Sequence, residues 1–271
     1  AVQENPNDSR DVYCLAREYK AHYMYDKAIE QFHNYLQLES ATWDQERSTT
    51  MRLMADCYKN KNYYEEAIMW LNLSIVETPT IREPYYELGA LYHDIGKIIN
   101  PQCFTENETP GVRYHEGLTA KESAQEIIRH VSDGLALADK YSVPGVLKDF
   151  IKTHHGTTCT AYFMTQYLNA GGDPAEVDEF YYNGVKPVTR EQVILMLCDA
   201  VEAASRSLKD YSEQSISSLV DKIVDGKADD GQLSDSDISL REVNRIKEVM
   251  KSYLKQMYHS RVSYPKRESK A

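Results

Sequence analysis

Six residues in the middle of the chain carry side chains suited to transition metals. They are His93 and Asp94 in Leu91-Tyr-His-Asp-Ile-Gly-Lys97, then His130, the pair His154-His155, and Asp199. Neutral imidazole and carboxylate are donors that suit Fe, Mn, Co, Ni or Zn. Four imidazoles and two carboxylates are more than one ion needs. A carboxylate next to a histidine can bridge two metals, the arrangement that clamps an in-line phosphoryl displacement. These residue types in this order point to phosphoester hydrolysis.

The elements that must position these residues read as helices. The pattern predicts a helix over 83–95 bearing His93 and Asp94, with Pro84 in its first turn, where the missing N–H costs little. Neighbours on a helix point about 100° apart, so one of the pair can meet a metal end-on while the other reaches between two. Residues 99–112 are a loop by their Pro, Gly and Asn content. Thr119 with Glu122 forms a capping box for the helix leading to His130. Further helices are expected over 144–155, 157–169, 189–208, 213–225 and 240–259, with polar connectors at 170–174 and 228–231. No segment alternates as a sheet strand would, so the expected fold class is all-α.

The first third carries an internal repeat. Leu15-Ala16-x-x-Tyr19 followed by Tyr25-x-x-Ala28-Ile29-x-x-Phe32 returns 39 positions later as Met54-Ala55-x-x-Tyr58 and Tyr64-x-x-Ala67-Ile68-x-x-Leu71. Small residues at these positions let paired helices approach, while aromatics fill the space between repeats. A third unit starts at Leu88-Gly89-x-x-Tyr92. The pattern resembles tetratricopeptide repeats, whose usual period is about 34 residues. Leu15-Ala-Arg-Glu-Tyr19, Trp43-Asp-Gln-Glu-Arg47 and Arg82-Glu-Pro-Tyr-Tyr-Glu-Leu88 are similar to the repeat array attached to bacterial family-2 glycosyltransferases. That resemblance implies a concave groove for a peptide or protein partner and no sugar transfer. Two full repeats fall short of the three usually needed for stability, so residues 1–88 are expected to share a continuous core with the rest.

Around the metal-type residues stand further phrases: His154-His-Gly-Thr-Thr158, the segment from Glu191 to Leu208, Asp230-Gly-Gln-Leu233, and Tyr258-His-Ser-Arg-Val-Ser-Tyr-Pro265. From about Gly89 to Pro265 the chain resembles the HD domain of bacterial membrane-anchored cyclic di-AMP phosphodiesterases with a seven-helix membrane region. The resemblance implies a domain over 89–271 that opens cyclic di-AMP to the linear dinucleotide. It implies that Asp94 bridges two ions, with His130, His154 and His155 completing one site and His93 and Asp199 serving the other. Lys97 then reaches a phosphate oxygen, and Arg206 is a nucleotide contact or a helix-surface ion pair. His22, His33, His115 and His259 are read as surface or locally hydrogen-bonded histidines.

The chain departs from that family in two places. The family has a further histidine ligand on a preceding helix; here the equivalent position, 29 residues before His93, is Tyr64. A neutral phenol with a pKa near 10 is a poor ligand. Two divalent ions, Mn or Fe, are therefore expected with the first site weakened and turnover impaired or absent. The second departure is Phe180-Tyr-Tyr-Asn-Gly-Val-Lys-Pro187, where the family usually has Pro-Gly-Pro. The whole reads as a chimera: a repeat array joined within residues 83–91 to an HD domain lacking its first helix. A natural shuffle, a laboratory recombination and a joined gene model are all compatible with it.

Composition bounds these readings. A net charge of −11 argues against DNA as a partner, though bound metal ions would supply local positive charge for a cyclic dinucleotide. With 27% charged residues and no apolar run near the roughly 20 residues of a membrane helix, a soluble cytoplasmic chain with no membrane segment and no secretory signal is expected. Five cysteines without a Cys-x-x-Cys pair are expected to be reduced thiols. Two functions compete: a phosphodiesterase, and a nucleotide- or peptide-binding scaffold without turnover.

Overall fold

The computed structural model describes residues 8–111 and 113–259. The chain is all-α: the described residues form eleven α-helices and five short 3-10 turns, with no strand beyond one isolated antiparallel bridge, Cys159 to Tyr181. It divides into two compact units, Ala1–Leu91 and Tyr92–Ala271. No helix among the described residues is long and apolar enough to cross a membrane. The N-terminal stretch Ala1–Pro6 and the Ser260–Pro265 part of the last sequence phrase lie outside the described residues.

The first unit is built from hairpins: α1 (Ser9–Ala21) with α2 (Tyr25–Gln37), and α3 (Asp44–Asn60) with α4 (Tyr64–Glu77). Ala16, Ala28, Ala55 and Ala67 are fully buried between paired helices, so the backbones approach closely. The two hairpins turn in the same way 39 residues apart. Tyr23 and Asn62 both take left-handed φ values, 59° and 62°. Met24 N–H bonds Tyr19 O as Tyr63 N–H bonds Tyr58 O, each at 2.9 Å. Such a left-handed residue satisfies carbonyls that a helix end leaves open. Tyr64 stands at the start of α4, half exposed, and its hydroxyl donates to Asn62 Oδ1 at 3.2 Å.

α5 (Glu83–Tyr92) stops three residues short of the expected Ile95. His93 and Asp94 are thus not on a continuous helix but in the turn after it, followed by a 3-10 turn over Ile95–Ile98. Gly96, inside this turn, has no room for a side chain. A Cβ there would lie 2.6 Å from Gly134 N and 2.8 Å from the His130 carbonyl carbon, so the turn rests backbone to backbone on α6 (Ala120–Lys140).

In the second unit α6 is the central support, packing against the 95–98 turn, α7 (Gly145–Thr153) and α8 (Ala161–Asn169). The Thr119–Glu122 capping box forms. α8 begins at Ala161 rather than at 157, because residues 157–160 are drawn out to pair with 180–182: Thr160 N–H bonds Phe180 O and Tyr182 N–H bonds Thr158 O, both at 2.8 Å. α9 (Arg190–Ser205), α10 (Glu213–Asp229) and α11 (Leu240–His259) form a second bundle around Leu197, Val201, Ile216, Val220, Val224 and Leu254. α10 runs to Asp229, into the connector expected at 228–231. Cys57 and Cys103 are buried, whereas Cys14 and Cys198 are exposed, and all five thiols are free.

Candidate metal centre

All six metal-type residues meet on the second unit, in two groups that share one carboxylate. Asp94, His130, His154 and His155 each offer a donor atom within 4.8 Å of the others, and His93, Asp94 and Asp199 do the same. Asp94 arrives on the turn that Gly96 docks, His130 on α6, the histidine pair at the end of α7, and Asp199 on α9. Donor atoms around a first-row ion sit about 2.0–2.2 Å from it, so separations of this size need only small adjustments to close on a cation.

Hydrogen bonds to main-chain carbonyls fix the tautomers of two rings. His130 Nδ1 lies 2.6 Å from Ile127 O and His154 Nδ1 2.9 Å from Ile151 O. A carbonyl only accepts, so both Nδ1 atoms carry a proton, and in the neutral rings both Nε2 atoms present lone pairs. Those two lone pairs face each other at 3.0 Å. Protonating His130 would relieve the contact, but burial opposes its charged form and pushes it down to about 4. Asp94 Oδ1 lies 3.4 Å from His130 Nε2 and 3.6 Å from His154 Nε2, buried and without a hydrogen-bond partner. Buried acceptors gathered without a donor are costly. A divalent cation relieves all three at once, and ring N–H to carbonyl bonds are the usual orienting contacts of ligating histidines.

The remaining charges balance around this group. Burial opposes ionisation of Asp94, but His154, His93 and Lys97 outweigh it and hold its carboxyl well below the usual range. Burial also opposes charge on His93, yet Asp199 and Asp94, at 3.8 and 3.3 Å, push it up to about 10. Lys97 Nζ lies 2.8 Å from both Asp94 Oδ2 and Glu106 Oε1. Arg206 Nη1 lies 2.9 Å from Glu106 Oε2 while its other nitrogens hold Glu202. One loop carboxylate thus links both cations named by the sequence.

Four residues with parts in this site had no role in the sequence reading. Gln232 is 2% exposed. Its Oε1 accepts from Thr157 N–H at 3.0 Å, and the side chain fills the space that a Cβ on Gly156, at φ 55°, would need. Lys227 Nζ donates to Thr158 Oγ1 at 3.2 Å, which in turn donates to His155 O at 2.8 Å. Burial lowers the Lys227 pKa from its ordinary value. Tyr182 lies flat on His155, ring centroids 4.3 Å apart and planes 20° apart. Burial, with Asp199 and Asp94 nearby, pushes its hydroxyl pKa up. Glu106 is the fourth. The phrases Asp230-Gly-Gln-Leu233 and Phe180–Pro187 contained Gln232 and Tyr182 without giving either a role; Lys227 and Glu106 are residue types too common for sequence to single out.

Among the histidines read as bland, His22 sits exposed beside Glu18 and His33 meets Trp70 edge-on at 5.1 Å. The side chain of His259 lies outside the described residues. His115 is different: its Nε2 lies 2.8 Å from Cys103 O, its Nδ1 is buried without a partner, and it lines the site. The cluster opens into a cleft of about 1330 Å³ whose walls include Lys97, Glu106, His115, Phe163, Tyr182 and Arg206. That space is ample for a dinucleotide-sized ligand, since small-molecule sites usually occupy about 300–1,000 Å³.

Comparison with known proteins agrees with this geometry. The HD domain family matches residues 73–204. The cyclic-di-AMP phosphodiesterase PgpH of Listeria monocytogenes is 35% identical over 178 residues, 66% of this chain and 25% of that protein. PgpH of Bacillus subtilis is 34% identical over 209 residues, 76% of this chain and 29% of that protein. The chain thus spans between a quarter and a third of the length of these relatives. The crystal structure of the L. monocytogenes PgpH HD domain in complex with cyclic-di-AMP superposes with a TM-score of 0.60 at 33% identity, covering 66% of this chain and 83% of that one. With the shared carboxylate, the facing histidines and a homologous solved domain in hand, this chain belongs to the HD-domain family, and its HD domain is homologous to that of the PgpH cyclic-di-AMP phosphodiesterases.

Proposed function

We propose that the chain is a metal-dependent phosphodiesterase that opens cyclic di-AMP to the linear dinucleotide. The observation that carries this reading is the pair of His130 and His154 lone pairs facing each other at 3.0 Å beside the orphaned Asp94 oxygen. Asp94, His130, His154 and His155 would hold one ion, and His93, Asp94 and Asp199 the other, with Mn or Fe suited to such donors. Bound ions would supply Lewis acidity at phosphorus and a hydroxide nucleophile. The chain's own residues do the rest: Lys97 and Arg206 offer positive charge to phosphate oxygens once Glu106 yields them. His155, packed between Tyr182 and His154, keeps the donor set in place. The relative that binds cyclic-di-AMP in its crystal supports the choice of substrate.

The second group has three protein donors against four in the first, and by sequence spacing Tyr64 replaces the further histidine that the resemblance led one to expect. This favours a second ion of lower affinity, and it supports the alternative of a dinucleotide-binding domain with little turnover. Elemental analysis of protein reconstituted with Mn or Fe, assayed in the same sample for the linear dinucleotide, separates the two. Two ions per chain with product that disappears in Asp94→Ala supports the enzyme. One ion or none, with cyclic di-AMP bound and no product, leaves the binder.

A further inference from the structure

We infer that the Tyr182 hydroxyl is a hydrogen-bond donor to the phosphodiester in the cleft, a contact that fixes a non-bridging phosphate oxygen beside the His/Asp cluster. This rests on the phosphodiesterase reading above. Tyr182 is 7% exposed. Its ring lies flat on His155 and edge-on to His130 at 6.2 Å, and its main chain is tied by its N–H to Thr158 O at 2.8 Å. The pairing of residues 159 and 181 next to it leaves the backbone little freedom.

A tyrosine buried to this extent normally spends its hydroxyl on a protein partner. Others in this chain do so. Tyr35 donates to Glu46 Oε2 at 2.9 Å, and the Tyr258 hydroxyl lies 3.0 Å from Ser205 Oγ. The Tyr182 hydroxyl makes no hydrogen bond to a described residue, yet it is not among the sealed polar atoms, and the residue lines the cleft. Stacking alone would be served equally by phenylalanine. A phenol is neutral at ordinary pH and can donate, and a donor to an anionic oxygen makes one of the stronger hydrogen bonds. A phosphate oxygen drawn to the cluster is the acceptor that this position lacks.

Tyr182→Phe keeps the ring, the stack and the volume and removes only the donor. Cyclic di-AMP affinity is measured by calorimetry on the metal-free protein, and turnover on the Mn-reconstituted protein, with metal content and Tm alongside. The inference expects unchanged metal content and Tm, a dissociation constant raised about fivefold or more, and kcat lowered about tenfold or more. Tyr182→Leu, which also removes the stack on His155, is expected to lose metal as well. A Tyr182→Phe protein within twofold of the wild type in both affinity and kcat overturns the assignment and leaves the phosphodiesterase standing. Wild-type protein that neither binds nor cleaves the dinucleotide overturns the proposed function and this assignment with it.

Discussion

Gly96→Ala tests the arrangement at the point where chain geometry and metal chemistry meet. The added Cβ would collide with the His130 carbonyl oxygen, and it would lie 2.6 Å from Gly134 N and 2.8 Å from the His130 carbonyl carbon, on an α6 backbone that its own hydrogen bonds hold in place. Carbon atoms in ordinary contact are about 3.5–4.0 Å apart, so the 95–98 turn must withdraw by at least about 1 Å. Asp94, two residues earlier on the same turn, must follow, and its Oδ1 is now 3.4 Å from His130 Nε2. Misplacement by about 1 Å is enough to cost about a hundredfold in activity at a site built on distance. Overpacking of this kind costs about 1–3 kcal/mol. At about 2–4 °C per kcal/mol for a domain of this size, Tm should fall by roughly 2–12 °C. Calorimetry with elemental analysis reads both effects. Gly226→Ala is the control: it lies inside α10 with nothing within 4 Å of its Cβ, so alanine should raise stability by up to about 1 kcal/mol through helix propensity. A Gly96→Ala protein with wild-type Tm and metal content would refute the claim that this contact sets the Asp94 position.

The metal-free protein should be most stable near pH 6–7. His130 is depressed to about 4, so the unfolded chain takes up its proton first and stability falls as pH drops from about 6.5 towards 4. His93 is raised to about 10, so its contribution is complete below about 6.5 and is lost as pH climbs through 10. A Tm that rises monotonically from pH 5 to 9 without metal would contradict these shifts. Glu106→Gln removes the carboxylate that occupies Lys97 and Arg206; KM for the dinucleotide is expected to fall severalfold, and a raised KM would show that Glu106 aids binding instead. Lys227 is largely buried, and Thr158 Oγ1 is its hydrogen-bond partner among the described residues. Replacing a poorly compensated buried charge by an apolar side chain of similar length is often stabilising, so Lys227→Met is expected to raise Tm by a few degrees at pH 7, and thermal unfolding that shifts downward would count against this account.

The sequence by itself determined the helical class, because caps such as Thr119–Glu122 and the apolar spacing of α9 to α11 act within a few turns of chain. It also named the metal-type residues, because imidazole and carboxylate in that order are informative whatever surrounds them. It misjudged the element under His93 and Asp94. Local propensity lets a helix run on to Ile95, whereas α5 ends at Tyr92 and Gly96 lies backbone to backbone on α6, a contact no local pattern announces. It likewise started α8 four residues early, since the pairing of 157–160 with 180–182 joins segments distant in sequence. The facing lone pairs of His130 and His154 depend on which carbonyl each Nδ1 reaches, and the roles of Tyr182, Glu106 and Lys227 on contacts spanning tens to a hundred residues. Residue chemistry is written in the order of the chain; the state of each proton and charge is set by neighbours that only the folded chain brings within reach.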